Sequence, residues 1–134
     1  MISTKGRYAI RVMLDLAEHD GGGPIPLKDI AARQGLSKKY LEIIVRELVA
    51  GGLIVGASGK GGGYRLVRPP EAYTAGEIIE LMEGPLITVS CLAEGAAPCS
   101  RAAGCETFPL WAEYARLTHD FFYSKKLSDL IKKG

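Results

Sequence analysis

Three cysteines, Cys91, Cys99 and Cys105, lie within fifteen positions of this 134-residue chain, which has no other cysteine. The residues that separate them are mostly Gly and Ala. An odd number of thiols cannot pair completely as disulfides within one chain, whereas thiolates are the usual ligands of iron-sulfur clusters and frequent ligands of zinc. Clustered thiols also act as redox switches. The segment therefore predicts a metal or cluster site, or a thiol switch.

The residues around the cysteines favour a cluster. Structural zinc usually takes four protein ligands, but His19 and His119 both lie well away from the cysteines in sequence. Cysteines that serve only as small buried hydrophobes would fall on helix or strand faces, not in a loop rich in Gly and Ala. Three thiolates on such a loop fit an iron-sulfur cluster. Glu106, next to Cys105, is the nearest oxygen donor and the candidate fourth ligand.

Charge is divided unevenly along the chain. The formal net charge is +2, but residues 1–68 contain 11 Lys and Arg against 6 Asp and Glu, whereas residues 69–134 contain 6 against 9. A basic first half favours a phosphate-binding surface. The first twenty residues alternate charged and apolar side chains, which predicts no export signal. No apolar run approaches the roughly 20 residues that span a bilayer, so we expect a cytoplasmic protein without a membrane partner.

Helical periodicity in the first half predicts a helix-turn-helix. The first helix starts near Ser3, has apolar residues at helical spacing from Ala9 to Ala17 and ends at DGGGP. A second helix is expected over residues 27–34. Ser37 follows a tight turn as the N-cap of a third helix, which ends near Ala50. The buried face of the third helix is expected to contain Leu41, Ile44, Val45, Leu48 and Val49.

The outer face of the third helix carries Lys38, Lys39, Glu42, Ile43 and Arg46. A solvated charged face has no need for the β-branched apolar side chain of Ile43. In a DNA-recognition helix, an apolar side chain contacts a thymine methyl group, and lysines at the helix start neutralise phosphates. The pattern therefore indicates a helix that reads DNA.

A glycine-rich hairpin follows directly. LIVGAS and YRLVR have the composition of two short strands, and GKGGG between them places Lys60 at the tip of the loop. Such a loop alone is a weak signal, but after a helix-turn-helix it indicates the wing of a winged helix. It lacks the strand-to-helix context of a nucleotide-binding loop. Since the sequence also shows no paired catalytic acid and base, an enzyme is not expected.

The second half is expected to build a dimer. After Pro69 and Pro70, a short helix begins with Thr74 as N-cap and Glu77 at the capping-box position. From Phe108, a long helix repeats large apolar residues at the spacing of a coiled-coil seam. This helix could fold back on its own core, but a two-fold symmetric operator requires a two-fold symmetric protein. The expected seam comprises Leu110, Tyr114, Leu117 and Phe121.

Three segments carry a family resemblance: TKGRYAIRVMLDLA, IPLKDIAARQGLSKKYLE and GGGYRL. They resemble the IscR/NsrR/CymR-type family of winged-helix transcription regulators, and most of all the iron-sulfur cluster regulator IscR. The resemblance covers nearly the whole chain. It implies a homodimeric repressor on double-stranded operator DNA, with the third helix in the major groove and the wing at the minor groove.

The expected fold is mainly α with a small β-wing. It is divided into a winged helix-turn-helix DNA-binding region (1–68), a linker helix with the cysteine loop (69–107) and a dimerisation helix (108–134). Motif and resemblance together define the residues expected to contact DNA: Thr4, Lys5, Arg7, Lys28, Ser37, Lys38, Lys39, Tyr40, Glu42, Ile43, Arg46, Lys60 and Gly61. Ser58 stands where IscR-type wings commonly have an arginine, and Ile43 where IscR has a polar residue. Base preference is therefore expected to differ.

The resemblance also implies a cofactor. IscR- and NsrR-type members use three cysteines in the corresponding loop, which implies an iron-sulfur cluster on the three cysteines here, 2Fe-2S in preference to 4Fe-4S. It further implies cluster-delivery proteins as partners and control of iron-sulfur cluster biogenesis genes. Phe108 stands where IscR has a histidine ligand, and Arg7 where NsrR has an acidic ligand from the partner chain. Two alternatives remain: a CymR-like regulator that responds to thiol oxidation or a partner enzyme, and a small redox metalloprotein.

Overall fold

The computed structural model describes residues 2–86 and 106–131, so the three cysteines lie outside the described residues. Within these ranges the chain forms five α-helices and one antiparallel hairpin. No helix in these ranges is both long enough and apolar enough to cross a membrane. The expectation of a mainly helical fold with a small β-wing is confirmed. The elements are α1 (Thr4–Glu18), α2 (Leu27–Gln34), α3 (Lys38–Ala50), β1 (Ile54–Ala57), β2 (Gly63–Leu66), α4 (Ala75–Glu83) and α5 (Phe108–Ser124), with 3₁₀ turns at Pro70–Ala72 and Leu127–Leu130.

Local chemistry sets the ends of α2 and α3. α2 ends at Gly35, whose left-handed φ of 65° favours glycine. Ser37 then begins α3, because its hydroxyl oxygen accepts a hydrogen bond from the Tyr40 amide at 3.1 Å. The first three helices pack around one core, which α4 and the chain after α5 complete. Its buried members include Ala9, Val12, Met13, Leu16, Ile30, Leu41, Ile44, Val45, Leu48, Tyr73, Ile78 and Leu127.

Val49 does not join this core, so the prediction that it is buried was wrong. Its side chain is 39% exposed, whereas the other four residues of the predicted face of α3 are buried. Val49 lies at the edge of the buried stripe, in the last turn before α3 ends at Ala50. There it lines a cleft between α3 and the wing, together with Glu42 and Tyr64.

Backbone hydrogen bonds join the two strands of the wing to each other and also join the wing to the segment that precedes α2. β1 and β2 pair in antiparallel register. Ile25, just before α2, bonds β2 as a third strand would: its amide donates to the Tyr64 carbonyl at 2.8 Å, and its carbonyl accepts from the Tyr64 amide at 2.9 Å. A Cβ atom on Gly63 would lie 2.2 Å from the Ile25 carbonyl oxygen, so this close approach requires glycine.

Tyr73 joins the two ends of the wing. The side chain is fully buried, and its hydroxyl donates to the Leu53 carbonyl, just before β1, at 2.6 Å. The same oxygen accepts from the amides of Val67 and Arg68, just after β2, at 3.0 and 3.1 Å. The Arg68 guanidinium lies 4.2 Å from the centre of the Tyr73 ring and pairs with Glu77 on α4. One buried hydroxyl therefore fixes the base of the hairpin.

The chain returns to the core after α5. The expected dimerisation helix over 108–134 is too long, because α5 has 17 residues and ends at Ser124. Thr74 and Lys126 form an antiparallel bridge, and the Leu127 amide donates to the Tyr73 carbonyl at 3.0 Å. Leu127 is fully buried. Burial of this apolar side chain in the main core accounts for the turn away from the helix axis.

Candidate nucleic-acid interface

The outer face of α3 is exposed at every predicted position: Lys38, Lys39, Glu42, Ile43 and Arg46. Ile43 is 45% exposed, although its side chain is apolar and β-branched. The first turn is held by the Ser37 cap and by Tyr40, whose ring packs edge-on against the Tyr8 ring with centroids 5.8 Å apart. α3 therefore presents charged and apolar groups together from a firmly packed helix.

Ion pairs divide the basic residues of the first half, other than the half-buried Arg11, into two groups. Arg33, Arg68 and Lys5 pair with carboxylates from other elements. A second group is exposed and has no ion-pair partner within residues 2–86 and 106–131. Its members are Arg7, Lys28, Lys38, Lys39, Arg46, Lys60 and Arg65. Unpaired cations can neutralise phosphates without first losing a partner, and all of them except Arg65 belong to the predicted contact set.

A cleft of about 540 Å³ separates the starts of α2 and α3 from the wing. Lys28 and Lys38 line it from the two helices, and Ser58 lines it from the wing. Lys60 is exposed at the tip, where Gly61 has a left-handed φ of 80°. Cations from two helices therefore face the wing across one cleft.

The start of α1 holds the remaining predicted contacts. Thr4 and Arg7 are exposed, and Arg7 donates to the Thr4 hydroxyl at 3.2 Å. Lys5 is half-buried, and its ammonium nitrogen lies 3.0 Å from the carboxylate of Glu47 on α3. Lys5 thus joins α1 to α3. The sequence prediction did not include this ion pair.

Arg65 on the wing was missed by the sequence prediction. It lies on β2 opposite Val55, and both side chains are exposed. Tyr64 and Leu66, on either side of it, are half-buried. Strand alternation within YRLVR was the signal that would have placed Arg65 on the outer face of the wing.

A buried carboxylate positions α2 against α1. Asp15 on α1 is 1% exposed and accepts hydrogen bonds from Arg33 Nε at 3.0 Å, Arg33 Nη2 at 2.8 Å and Gln34 Nε2 at 2.9 Å. Burial alone would raise the pKa of Asp15, but these hydrogen bonds and the charge of Arg33 outweigh burial and lower the pKa. Asp15 therefore stays ionised and fastens the helix that precedes α3.

The apolar face of α5 is open in the single chain. Leu110, Tyr114, Leu117 and Phe121 are between 46 and 59% exposed. A groove of about 1090 Å³ lies beside them, and its other wall includes Glu83 at the end of α4. These four side chains therefore do not fold back into the core of their own chain.

The predicted cluster ligands lie mostly beyond the described residues. Cys91, Cys99 and Cys105 fall outside residues 2–86 and 106–131. Glu106 is exposed in the turn before α5, and Phe108, half-buried, is the first residue of that helix. The described part of the chain contains no group of three or more His, Cys, Asp or Glu side chains placed to hold a metal ion.

Comparison with known proteins identifies the family. A sequence profile named Rrf2 and described as "Iron-dependent Transcriptional regulator" matches residues 2–133. The chain belongs to the Rrf2 family. The HTH-type transcriptional regulator IscR of Erwinia tasmaniensis is 35% identical to it over 130 residues, which are 97% of this chain and 78% of that IscR.

Solved structures of Rrf2-family relatives superpose on this chain. CymR (YrzC), the global cysteine regulator of B. subtilis, matches with a TM-score of 0.79 and 39% identity, over 97% of this chain and 95% of that structure. T. potens IscR matches with a TM-score of 0.73 and 32% identity, over 100% of this chain and 93% of that structure. The resemblance to the IscR/NsrR/CymR-type regulators is therefore confirmed.

Membership of the Rrf2 family gives the broad function. The chain is a DNA-binding transcription regulator and not an enzyme, as the sequence predicts. The same membership favours a regulator over the alternative of a small redox metalloprotein.

Proposed function

We propose that this Rrf2-family regulator is a cytoplasmic homodimer whose affinity for operator DNA depends on an iron-sulfur cluster held by Cys91, Cys99 and Cys105. Its targets would be genes of iron-sulfur cluster biogenesis. The observation that supports the proposal is the three-cysteine segment between α4 and α5. The description of the Rrf2 family as iron-dependent supports the same assignment.

The donor set of this segment suits a cluster. Cysteine thiolates are the standard ligands of iron-sulfur clusters, and three of them leave one iron position for a weaker oxygen donor or for solvent. Glu106 is the candidate donor, because its carboxylate is exposed and adjacent to Cys105. We expect a 2Fe-2S cluster in preference to 4Fe-4S, supplied by cluster-delivery proteins. When bound, the cluster would supply a group sensitive to redox state and iron supply, while the chain's own residues bind the DNA.

Anaerobic purification followed by a visible spectrum and by iron and sulfide analysis tests the cluster. The parent protein is expected to be coloured and to contain iron and acid-labile sulfide. Replacement of Cys91, Cys99 or Cys105 by Ala should abolish stable loading but keep the helical circular-dichroism signal, because the core within residues 2–86 and 106–131 is built by other side chains. Ser100→Ala, beside Cys99, is the matched control. A parent that stays colourless and free of sulfide after reconstitution would exclude the cluster.

On DNA, α3 would lie in the major groove and the wing at the minor groove. Glu42 and Ile43 would face base edges, and the unpaired cations Lys28, Lys38 and Lys60 would face phosphates. The cleft between the helices and the wing supports this arrangement, since Lys28 and Lys38 line its helical side, and the wing that lines its other side carries the exposed Lys60 at its tip. The exposed apolar face of α5 supports a second copy of the chain as the partner that completes a symmetric DNA-binding surface.

Substitution of the cations separates contacts with phosphates from contacts with bases. Replacement of Lys38, Lys39 or Lys60 by Ala is expected to weaken binding to every duplex. It should also reduce the slope of log K against log salt concentration by about one unit per lost contact. Glu42→Ala should relax base choice at one operator position and keep the salt slope. Fluorescence anisotropy over a salt series measures both. Arg116→Ala removes an exposed cation from α5 and is the control. Equal weakening of all duplexes by Glu42→Ala would argue against a base contact.

Similarity to CymR supports a second candidate function. CymR is described as the global cysteine regulator of B. subtilis. A CymR-like protein would use the same three thiols to respond to oxidation or to a partner enzyme, without a cluster. A colourless protein whose operator affinity changes with peroxide and recovers with dithiothreitol would favour this function over the cluster.

A further inference from the structure

α1 has no cap of its own. Ser3 precedes the helix, but its side chain does not bond to the first turn, and that turn contains no acidic residue. The free amides at a helix N-terminus carry partial positive charge and need acceptors. Two of these amides, those of Ser3 and Gly6, have their acceptor in Glu83 at the end of α4, 80 positions after Ser3 in sequence.

The Glu83 carboxylate caps α1 from the neighbouring helix. Its Oε1 atom accepts hydrogen bonds from the Ser3 amide at 2.9 Å, from the Gly6 amide at 3.0 Å and from the Ser3 hydroxyl. The bond from the Ser3 side chain, the two amides and the charge of Lys5 lower the pKa of Glu83 against the effect of burial. A Cβ atom on Gly6 would lie 2.5 Å from the same oxygen, so glycine permits this approach.

The capped turn is also bonded to the recognition helix. Lys5, inside this turn, has its ammonium nitrogen 3.0 Å from the carboxylate of Glu47 on α3. α4, α1 and α3 are therefore joined in series by two polar links, from Glu83 to the first turn of α1 and from Lys5 to Glu47. Thr4 and Arg7, which are predicted DNA contacts, lie in or next to the same turn.

We propose that Glu83 is a positioning residue for DNA recognition, which holds the first turn of α1 and, through the Lys5–Glu47 pair, the position of α3. Cys91 follows Glu83 by eight positions in sequence. A shift at the end of α4 would thus reach the DNA-contacting residues. That a change at the cysteines causes such a shift rests on the proposed function, whereas the link from Glu83 to α3 does not.

A double-mutant cycle on metal-free protein tests the link. The DNA is a duplex selected from a random pool with the parent protein. Glu83→Gln keeps the size of the side chain and removes its charge, and is expected to weaken operator binding about 3- to 30-fold. Glu47→Gln interrupts the second link and is expected to act in the same range. Since both changes interrupt one route, the loss in the double variant should be smaller than the product of the single losses.

Two further variants complete the experiment. Glu71→Gln changes an exposed glutamate in the 3₁₀ turn and should bind like the parent. Ser3→Ala removes one hydrogen-bond donor to Glu83 and should weaken operator binding, but less than Glu83→Gln does. If Glu83→Gln does not fold, this milder variant still tests the role of Glu83. Unchanged affinity in the Glu83 and Ser3 variants, or losses that multiply fully in the double variant, would overturn the role of Glu83. No cluster enters these measurements, so failure of the proposed function would be seen separately, in the sulfide content of the parent.

Discussion

Combined Tyr114→Ala and Phe121→Ala substitutions are expected to convert the proposed dimer to a monomer. Both aromatic rings lie exposed on the apolar face of α5. In a seam each ring would lose most of its contact with water, and its truncation would cost roughly 3 to 5 kcal/mol. Since about 1.4 kcal/mol is tenfold in a dissociation constant, even one substitution should weaken the dimer about a hundredfold or more. Sedimentation equilibrium over a range of protein concentrations measures the change.

Controls must separate loss of the dimer from loss of the fold. Glu113→Ala changes an exposed polar residue on α5 and should leave the dimer intact. The helical circular-dichroism signal of the double variant should persist, because the main core does not include either aromatic. An intact dimer in both single variants and in the double variant would place the subunit contact elsewhere on the surface.

Asp15→Asn is expected to lower the free energy of unfolding by about 3 kcal/mol, the lower end of the range for breaking a buried ion pair. The Asp15 side chain is buried, whereas the Arg33 side chain is 33% exposed and regains some contact with water. The new amide group would also point a donor at Arg33 or Gln34, where the carboxylate now accepts three hydrogen bonds. Urea denaturation of parent and variant measures the difference.

The size of this loss should depend on pH. Burial would raise the pKa of Asp15, but hydrogen bonds from Arg33 and Gln34 lower it overall. A lowered pKa in the folded protein adds stability above the unfolded-state value of about 3.9, and that stability disappears as pH falls through the folded-state value. The difference between parent and Asp15→Asn should therefore be largest near neutral pH and shrink below about pH 4.

Asp20→Asn changes an exposed carboxylate just after α1 and provides the control for the pH series. It should show almost no loss of stability at any pH, since surface charges contribute little. A loss in Asp15→Asn that stays constant from neutral to acidic pH would show that packing, and not the ionised carboxylate, accounts for the effect.

Signals that act within one turn of helix were sufficient to predict α1 to α4. Gly35 and Ser37 define the turn before α3, and Thr74 with Glu77 forms the predicted capping box of α4. Each depends on residues at most a few positions apart, so the sequence contains the whole interaction. The wing follows from the same kind of local pattern.

Contacts between residues far apart in sequence could not be predicted in this way. Helical periodicity shows which face of α1 is buried, but not that Asp15 on that face meets Arg33 from α2. The family resemblance places Lys5 near the DNA-binding surface, but not against Glu47 on α3. The sequence prediction also continues α5 beyond Ser124. The helix ends there because Leu127 is buried in the core, a contact that helical periodicity does not show. The predicted cations on α3 and the wing are exposed as expected, since their exposure follows from local geometry alone.

Because the two ends of the wing meet at the Tyr73 hydroxyl, the hairpin gives up its conformational freedom when the protein folds, before DNA is present. Fixing the backbone of one residue costs about 1 to 2 kcal/mol in entropy, and ordering a loose segment on binding opposes association. Only the five residues from Ser58 to Gly62 lie between the paired strands. In the proposed DNA complex, the entropy lost by the wing is thereby confined to this tip, and a tyrosine buried in the core raises affinity by pre-organising a surface that it does not belong to.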